Sequence, residues 1–385
     1  MNILILNYEY PPLGGGAGLV TQHLADQFNK RGHYLYILTT WYPGTPEYEV
    51  IDNITIVRLK SKRKFTYKSN PLEMLSWIKH SKNLFKNIKD KIDIDVCLAN
   101  FTLPGGEVAL YLKKKWKIPY VVLSHGHDIP WFSPKQMFWY HLMLQFHIKK
   151  IMLKADRNIL LTEELKANAD RFLGARYSQK NCVIPNGLNM QENNNSELDK
   201  NSKLTILFVG RFVEQKDPLT FLRAVKILEQ KGIPFQVKMI GDGVLKNDIE
   251  SLIYQLKIKN ISLLGKISNS EVIREMQAAH VFVAASREEA MSLSVLEAVS
   301  CGLYIIATKI SGNIDLVIEN ENGNFVKFGD EKDIALKIEN FYHEKFQKDY
   351  QYPDHLSTML ADKYSWDNAA QKYLKVFDEL IAAKS

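Results

Sequence analysis

Ala285-Ser286-Arg287-Glu288-Glu289-Ala290-Met291-Ser292-Leu293-Ser294-Val295-Leu296-Glu297-Ala298-Val299-Ser300-Cys301-Gly302 lies between two short apolar runs, Val281–Ala284 and Leu303–Ala307. The flanking runs read as strands and the stretch around Leu296 as a helix that Gly302 ends. A strand, a crossover helix and a second strand make a βαβ unit, and such units build parallel sheets. Glu289 then closes a strand, and Glu297 follows eight residues later inside the helix. Two helical turns take about 7.2 residues, so this spacing places Glu297 near the face under the helix start. Amide groups at Met291, Ser292, Leu293 and Ser294 are expected to meet phosphate oxygens there, with the two carboxylates gripping hydroxyls on either side.

The same rhythm extends in both directions. Strands are expected at Thr205–Val209, Gln236–Ile240, Ile261–Leu264 and Asn324–Val326, with helices such as Pro218–Lys231 and Ser268–Ala279 between them. Towards the amino terminus they are expected near Ile3–Asn7, Tyr34–Thr39, Ile54–Arg58, Ile94–Ala99, Tyr120–Ser124, Asn158–Leu161 and Cys182–Ile184. The polar stretch Asn189–Ser202, with three asparagines in a row, has almost nothing to bury and reads as a linker. The fold class is therefore α/β, with two doubly wound domains facing each other across a central cleft. The expected boundaries are 1–187 and 204–362, joined by a linker over 188–203. A last helix within 363–385 is expected to cross back to the first domain. Ligands of such sheets sit at the carboxyl ends of the strands, so loops after strands are where chemistry is sought.

At 385 residues the chain exceeds the size at which one core usually splits, in agreement with two domains. Three widely spaced cysteines, Cys97, Cys182 and Cys301, argue against a disulfide framework or a Cys-based zinc site and fit a reducing compartment. The start of the chain lacks a basic, apolar signal pattern, and no run of about 18 apolar residues is present. A cytoplasmic protein is expected, working at the inner face of a membrane.

Charge is unevenly placed. Residues 1–185 carry 26 Lys/Arg against 15 Asp/Glu, a net of +11, whereas the remainder is −4. Much of the excess is Arg58, Lys60, Lys62, Arg63, Lys64, Lys68, Lys79, Lys82, Lys86, Lys89 and Lys91, opposed there by Glu73 and Asp90. A solvated basic face is one reading. Peripheral contact with an anionic membrane is the other, helped by the aromatics Trp131-Phe132 and Phe138-Trp139-Tyr140. No nucleic-acid partner is expected.

After the first strand, Leu13-Gly14-Gly15-Gly16-Ala17-Gly18 opens a helix, and glycines there let backbone approach a ligand and aim N–H groups at an anion. The alternative is a tight strand-to-helix turn. The dinucleotide pattern of three spaced glycines fails, and no acidic residue closes the second strand at Thr39-Thr40-Trp41, which disfavours a nicotinamide site. His125-Gly126-His127-Asp128 ends another strand and offers an imidazole donor to a sugar hydroxyl, or to developing negative charge. Asp93-Ile94-Asp95 has a metal-binding look but lies at the amino end of a strand, away from the expected cleft. Gly210-Arg211 with Lys216 follows a strand and suits a diphosphate, Arg through its fork and Lys as a point charge. Gly241-Asp242-Gly243 leaves backbone room for a nucleotide.

Together these residues resemble the retaining glycosyltransferases of family four, also called glycosyl transferases group 1, which have the GT-B fold of two Rossmann-like domains. The resemblance runs from the glycine loop through His-Gly-x-Asp, Asn186-Gly187, Gly210-Arg211 with Lys216, and Glu289 to Glu297-Ala298, as far as Tyr364-Ser365-Trp366. It implies a hexose-type sugar moved with retention from a UDP- or GDP-sugar to a saccharide or lipid-linked acceptor, in cell-surface glycan synthesis. No cofactor and no metal are implied. Arg211 and Lys216 would bind the donor diphosphate, Glu297 the ribose, and Glu289 the transferred sugar. Gly15, Gly16 and Gly241 would lie against the donor, His125 beside the reacting centre, and Asp128 on the acceptor. The chain departs from the family where Glu289-Ala290-Met291-Ser292 replaces Glu-Gly-Phe-Gly, and where Ser311-Gly312 with Asp315 replaces Gly-Gly before Glu. A UDP-sugar epimerase of the same fold and a non-catalytic transferase-like partner subunit are the competing readings.

Overall fold

The computed structural model describes residues 1–65, 69–88, 92–132, 134–188 and 203–383. Of the linker expected over 188–203, residues 189–202 lie outside the described residues, as do Lys68, Lys89, Asp90 and Lys91. The chain packs as two compact units, Met1–Gly187 with Trp366–Ser385, and Leu188–Ser365.

The first unit holds β1 (Asn2–Leu6), β2 (Tyr34–Thr40), β3 (Tyr48–Ile51), β4 (Ile54–Leu59), β5 (Val96–Asn100), β6 (Tyr120–Leu123), β7 (Arg157–Leu160) and β8 (Asn181–Val183). Its helices are α1 (Gly16–Lys30), α2 (Pro71–Ile88), α3 (Glu107–Trp116), α4 (Pro134–Lys154) and α5 (Glu163–Leu173). The sheet order is β3-β4-β2-β1-β5-β6-β7-β8, parallel throughout except for β3, which runs antiparallel to β4. Strands β5 and β6 are buried at every position, as expected for a parallel sheet covered on both faces.

The second unit has β9 (Leu204–Val209), β10 (Phe235–Ile240), β11 (Ile261–Gly265), β12 (Val281–Ala284), β13 (Tyr304–Thr308) and β14 (Gly323–Val326). All pair in parallel, in the order β11-β10-β9-β12-β13-β14. Around them lie α6 (Pro218–Gln230), α7 (Lys246–Leu256), α8 (Asn269–Gln277), α9 (Leu293–Ser300), α10 (Ser311–Ile314), α11 (Glu331–Glu344) and α12 (Asp354–Tyr364). Local chemistry sets several boundaries. Asp217 caps α6 with Pro218 in the first helical position, and Ser268 and Glu271 form a reciprocal capping box on α8.

The last helix, α13 (Trp366–Ala382), belongs to the first unit. Its buried residues Trp366, Ala369, Ala370, Tyr373, Leu374 and Phe377 recur at helical spacing and form one stripe. That stripe packs on α1, where Phe28 meets Tyr373 and Phe377 edge-on and His23 stacks on Trp366 at 4.7 Å. A side chain at Gly187 would collide with Trp366 at 2.5 Å, so glycine is needed for this close approach.

In each unit the strand order reverses about one strand. β1 lies between β2 and β5, and β9 lies between β10 and β12. Such switch points splay the loops that leave the two diverging strands and open a crevice at their carboxyl ends. At these ends lie Gly14–Gly16 and Asn100 in the first unit, and Arg211–Lys216 and Glu289 in the second.

Candidate active site

The two switch-point loops of the second unit are joined by charge and by backbone. Lys216 Nζ lies 2.5 Å from Glu289 Oε1, with 15% and 12% of the two side chains exposed. Gln215 holds the loops together, its side-chain amide donating to Glu288 O at 2.9 Å and its carbonyl accepting from Arg287 N at 2.8 Å. Thr308 Oγ, at the end of β13, donates to Ser286 O at 2.6 Å. Gly312 N donates to Glu289 O at 3.0 Å, and a Cβ on Gly312 would fall 2.8 Å from Glu289 Cβ. Glu289 can therefore lie there because residue 312 is glycine. Arg211 is exposed on the same loop, its guanidinium 3.4 Å from Gln215 Oε1.

Backbone at Gly241 is equally constrained. With φ +146° it occupies a region unfavourable to other residues, and a Cβ there would sit 1.9 Å from Gly210 O. The loops after β9 and β10 thus cross in contact.

The helical argument for the two glutamates needs correction. Residues 289–292 are loop and α9 begins at Leu293, so fewer than two helical turns separate Glu289 from Glu297. Glu297 is tied instead to α8, accepting from Asn269 Nδ2 at 3.1 Å. Burial pushes its carboxyl above the ordinary value, and the Asn269 hydrogen bond offsets part of that. No side chain caps α9: Ser292 occupies the cap position with its hydroxyl 3.1 Å from that of Ser294, while Met291 is buried. The first-turn amides at Leu293 and Ser294 thus keep the partial positive charge of a helix start.

In the first unit a buried polar chain links four elements. Asn7 Nδ2, beyond β1, donates to Thr21 Oγ of α1 at 2.7 Å, and Thr21 Oγ donates to Asn100 Oδ1 at the end of β5 at 3.2 Å. His125 Nε2 lies 3.0 Å from the same oxygen and its ring leans on Phe101, centroids 4.6 Å apart. With Asn100 Oδ1 accepting, Nε2 carries the proton and Nδ1 is the basic nitrogen. Burial holds the His125 imidazole below its ordinary value and outweighs the opposing Asp128 carboxylate, so the ring is neutral at neutral pH.

Asp128, expected on the acceptor, is occupied within the unit. Its Oδ1 accepts from Ser124 Oγ (2.7 Å) and His125 N (3.1 Å), and its Oδ2 from Thr102 N (2.8 Å) and Thr102 Oγ (3.1 Å). These four donors use the acceptor capacity of a carboxylate, so Asp128 organises the loop that carries His125. Gly15 caps α1 and Gly16 begins it, and a Cβ on Gly15 would meet nothing within 4 Å. Gly14, at φ +81°, is packed against the Glu9 side chain.

The basic stretch is not uniformly a surface. Arg58 is buried and pairs with Glu49 at 2.8 Å. Arg63 is buried over the Tyr8 ring and within 3.4 Å of Glu9, the side chain that packs against Gly14. Asp95 accepts from Asn2 N at 2.7 Å at the amino edge of the sheet. Among the described residues no group of three or more His, Cys, Asp or Glu could hold a metal ion.

Gln215, Asn269 and Asn100 take part in these arrangements without having been singled out from the sequence. Asn100 had a readable signal, a polar residue closing an apolar strand at the carboxyl edge. Asn269 had none, because its partner Glu297 belongs to another βα unit.

Known proteins resemble this chain in sequence and in fold. The family model described as Glycosyltransferase Family 4 matches residues 14–192, and Glycosyl transferases group 1 matches 189–355. An uncharacterized glycosyltransferase of Methanocaldococcus jannaschii is 28% identical, aligned over 99% of each chain. The UDP-Gal:alpha-D-GlcNAc-diphosphoundecaprenol alpha-1,3-galactosyltransferase of Escherichia coli is 36% identical over 39% of this chain and 42% of its own. Among solved structures, sucrose-phosphate synthase from Thermosynechococcus elongatus superposes with a TM-score of 0.85 at 18% identity over 100% of both chains. With the two family models matching residues 14–192 and 189–355 in succession, and two Rossmann-like α/β units in the fold, the chain belongs to the family-four glycosyltransferases of the GT-B fold.

Proposed function

We propose that this glycosyltransferase moves a hexose-type sugar from a UDP- or GDP-sugar, with retention of configuration and without a metal ion, to a saccharide or lipid-linked acceptor. The observation that carries the reading is the Lys216–Glu289 pair, held at 2.5 Å on the two loops that leave the switch-point strands of the second unit. A diphosphate leaving group needs positive charge where its own negative charge develops. Arg211 and the uncapped start of α9 supply part of that charge, and Lys216, held beside them by Glu289 until donor binds, supplies the rest, so the site is charged before the bond breaks. Glu289 then accepts from hydroxyls of the transferred sugar, and Glu297 from the ribose. Gly241, Met291, Ser292, Leu293 and Ser294 line the donor through backbone.

His125, neutral and oriented by Asn100, offers a hydrogen-bonding ring to the sugar or to the departing oxygen, with Gly15 and Gly16 giving close backbone approach. The Escherichia coli relative, whose name states a UDP-galactose donor and a diphosphoundecaprenol-linked acceptor, supports a nucleotide-sugar donor and a lipid-linked acceptor here. The test is a panel of nucleoside diphosphates and their sugars read by thermal stabilisation, since ligand at 100 times Kd adds about 2.7 kcal/mol. Release of the free sugar from the stabilising donor, with its anomer read by proton NMR, follows. A protein stabilised by no uridine or guanosine diphosphate species would overturn the reading.

A further inference from the structure

Helix α4 is apolar on two faces. One is buried in the first unit through His141, Ile148, Ile151 and Met152. The other carries Phe138, Trp139, Leu142, Met143 and Phe146, and Trp139, Met143 and Phe146 are 73%, 76% and 80% exposed. Advancing 100° per residue, these five positions fall on one stripe about 140° wide, and Lys149 and the exposed Lys150 continue it one turn on. No acidic residue lies between Pro134 and Lys154. A stripe of this size left in water marks an interaction surface.

Neighbouring elements repeat the pattern. On α2, Leu72, Leu75, Lys79 and Lys86 are exposed at helical spacing. Glu107 of α3 pairs with Lys82 of α2 at 2.5 Å and with His147 of α4 at 2.9 Å, so the three helices lie on the same face of the sheet. The stripe also begins at the candidate site. Trp131 packs on Phe138 with centroids 6.1 Å apart, and His141 Nε2 lies 3.0 Å from His127 O, in the loop that carries His125.

We infer that this face docks on an anionic lipid surface and brings the His125 loop to it. Aromatic and long aliphatic side chains flanked by lysines, with no carboxylate among them, match the acyl boundary and the charge of such a surface. Among the described residues no helix is long and apolar enough to cross a membrane, so α4 lies on the surface. The occupant is a lipid surface because the exposed charged residues of α2 and α4 are lysines, Glu107 being taken up by Lys82 and His147, whereas a self-complementary face between two copies would set lysine against lysine.

The test is co-sedimentation of the full chain with phosphatidylcholine vesicles and with vesicles of equal phosphatidylcholine and phosphatidylglycerol, at low salt and in 0.5 M NaCl (about a 4 Å Debye length). Binding to the anionic vesicles and release by salt are expected. Trp139→Gln with Phe146→Gln should lower partition roughly 10- to 100-fold. Lys149→Gln with Lys150→Gln should lower it about 30-fold, at about 1 kcal/mol for each lysine. All four positions are exposed or half-buried, and matching melting curves confirm that the variants are folded. Equal binding to neutral vesicles, no binding at low salt, or variants that bind like the wild type would overturn the proposal. So would a dimer, in the absence of vesicles, that Trp139→Gln dissolves. The readout is partition, so loss of nucleotide stabilisation with vesicle binding intact would count against the donor assignment alone.

Discussion

Replacing Glu289 by Gln keeps the shape of the side chain and removes its charge, which isolates the ion pair with Lys216. Both side chains are largely withdrawn from water, 15% and 12% exposed, yet neither is sealed. Breaking a fully buried pair costs about 3–5 kcal/mol and an exposed one about 0–1, so about 2 kcal/mol is the scale here. The glutamine oxygen still accepts from the ammonium, which leaves a net loss of about 1–2 kcal/mol in the free protein. For a unit of this size that lowers Tm by about 2–8 °C.

If Lys216 moves onto the diphosphate when donor binds, the complex suffers less than the free protein. UDP or GDP, whichever the wild type binds, should then stabilise Glu289→Gln by about 1 kcal/mol more than it stabilises the wild type, or roughly fivefold tighter binding. Using the nucleotide without its sugar matters, because Glu289 is assigned to the sugar. Turnover with the full donor should fall at the same time, by roughly 10- to 150-fold in kcat, as the hydrogen bonds to the transferred sugar weaken. Differential scanning fluorimetry with and without nucleotide, beside steady-state kinetics, reads all three quantities. Equal Tm losses in the free and the nucleotide-bound protein would refute the transfer of Lys216 from carboxylate to phosphate.

Glu297→Gln should stabilise the free protein at neutral pH, because burial raises this carboxyl and ionising it in the fold is unfavourable. The gain should fade as pH falls through the raised value towards the ordinary carboxylate range; donor KM should meanwhile rise with kcat little changed, and melting curves against pH with kinetics at neutral pH decide it. For His125, whose proton affinity is lowered by burial, the folded state resists charging, so stability is lost only as pH falls below the ordinary imidazole value of 6.5. The acid limb of kcat/KM should accordingly lie below pH 6.5, and Asn100→Asp should move it upward by placing a carboxylate beside the ring. Gly241→Ala forces a Cβ within 1.9 Å of Gly210 O, and a loss of about 3 kcal/mol or more, read by urea melts, is expected. Turnover should survive EDTA, and Asp95→Asn should leave donor binding unaltered, since that carboxylate accepts from Asn2 N.

The alternation of apolar strands and amphipathic helices, with glycines, histidine, basic residues and glutamates after particular strands, was readable because it rests on local chemistry. A β-branched run between turn residues forms a buried parallel strand wherever it is placed. The strand Tyr48–Ile51 escaped notice because it is an edge strand with three of its four residues exposed, and so lacks the apolar pattern of its neighbours. Which charges meet depended on tertiary structure. Lys216 and Glu289 are 73 positions apart and become partners because β9 and β12 are adjacent in the sheet. Asp128, next to a histidine, looks catalytic in one dimension, yet four donors from the segments after β5 and β6 claim it. Arg58 and Arg63 read as part of a solvated basic run until the fold buries them against Glu49 and Glu9. The exposed face of α4 is the converse: its aromatics are plain in the sequence, but a second apolar face left in water appears only after the first has packed. Composition and spacing state what each residue is able to do, whereas partner and solvent are set by contacts between strands and helices far apart along the chain, and those contacts decide charge, orientation and access.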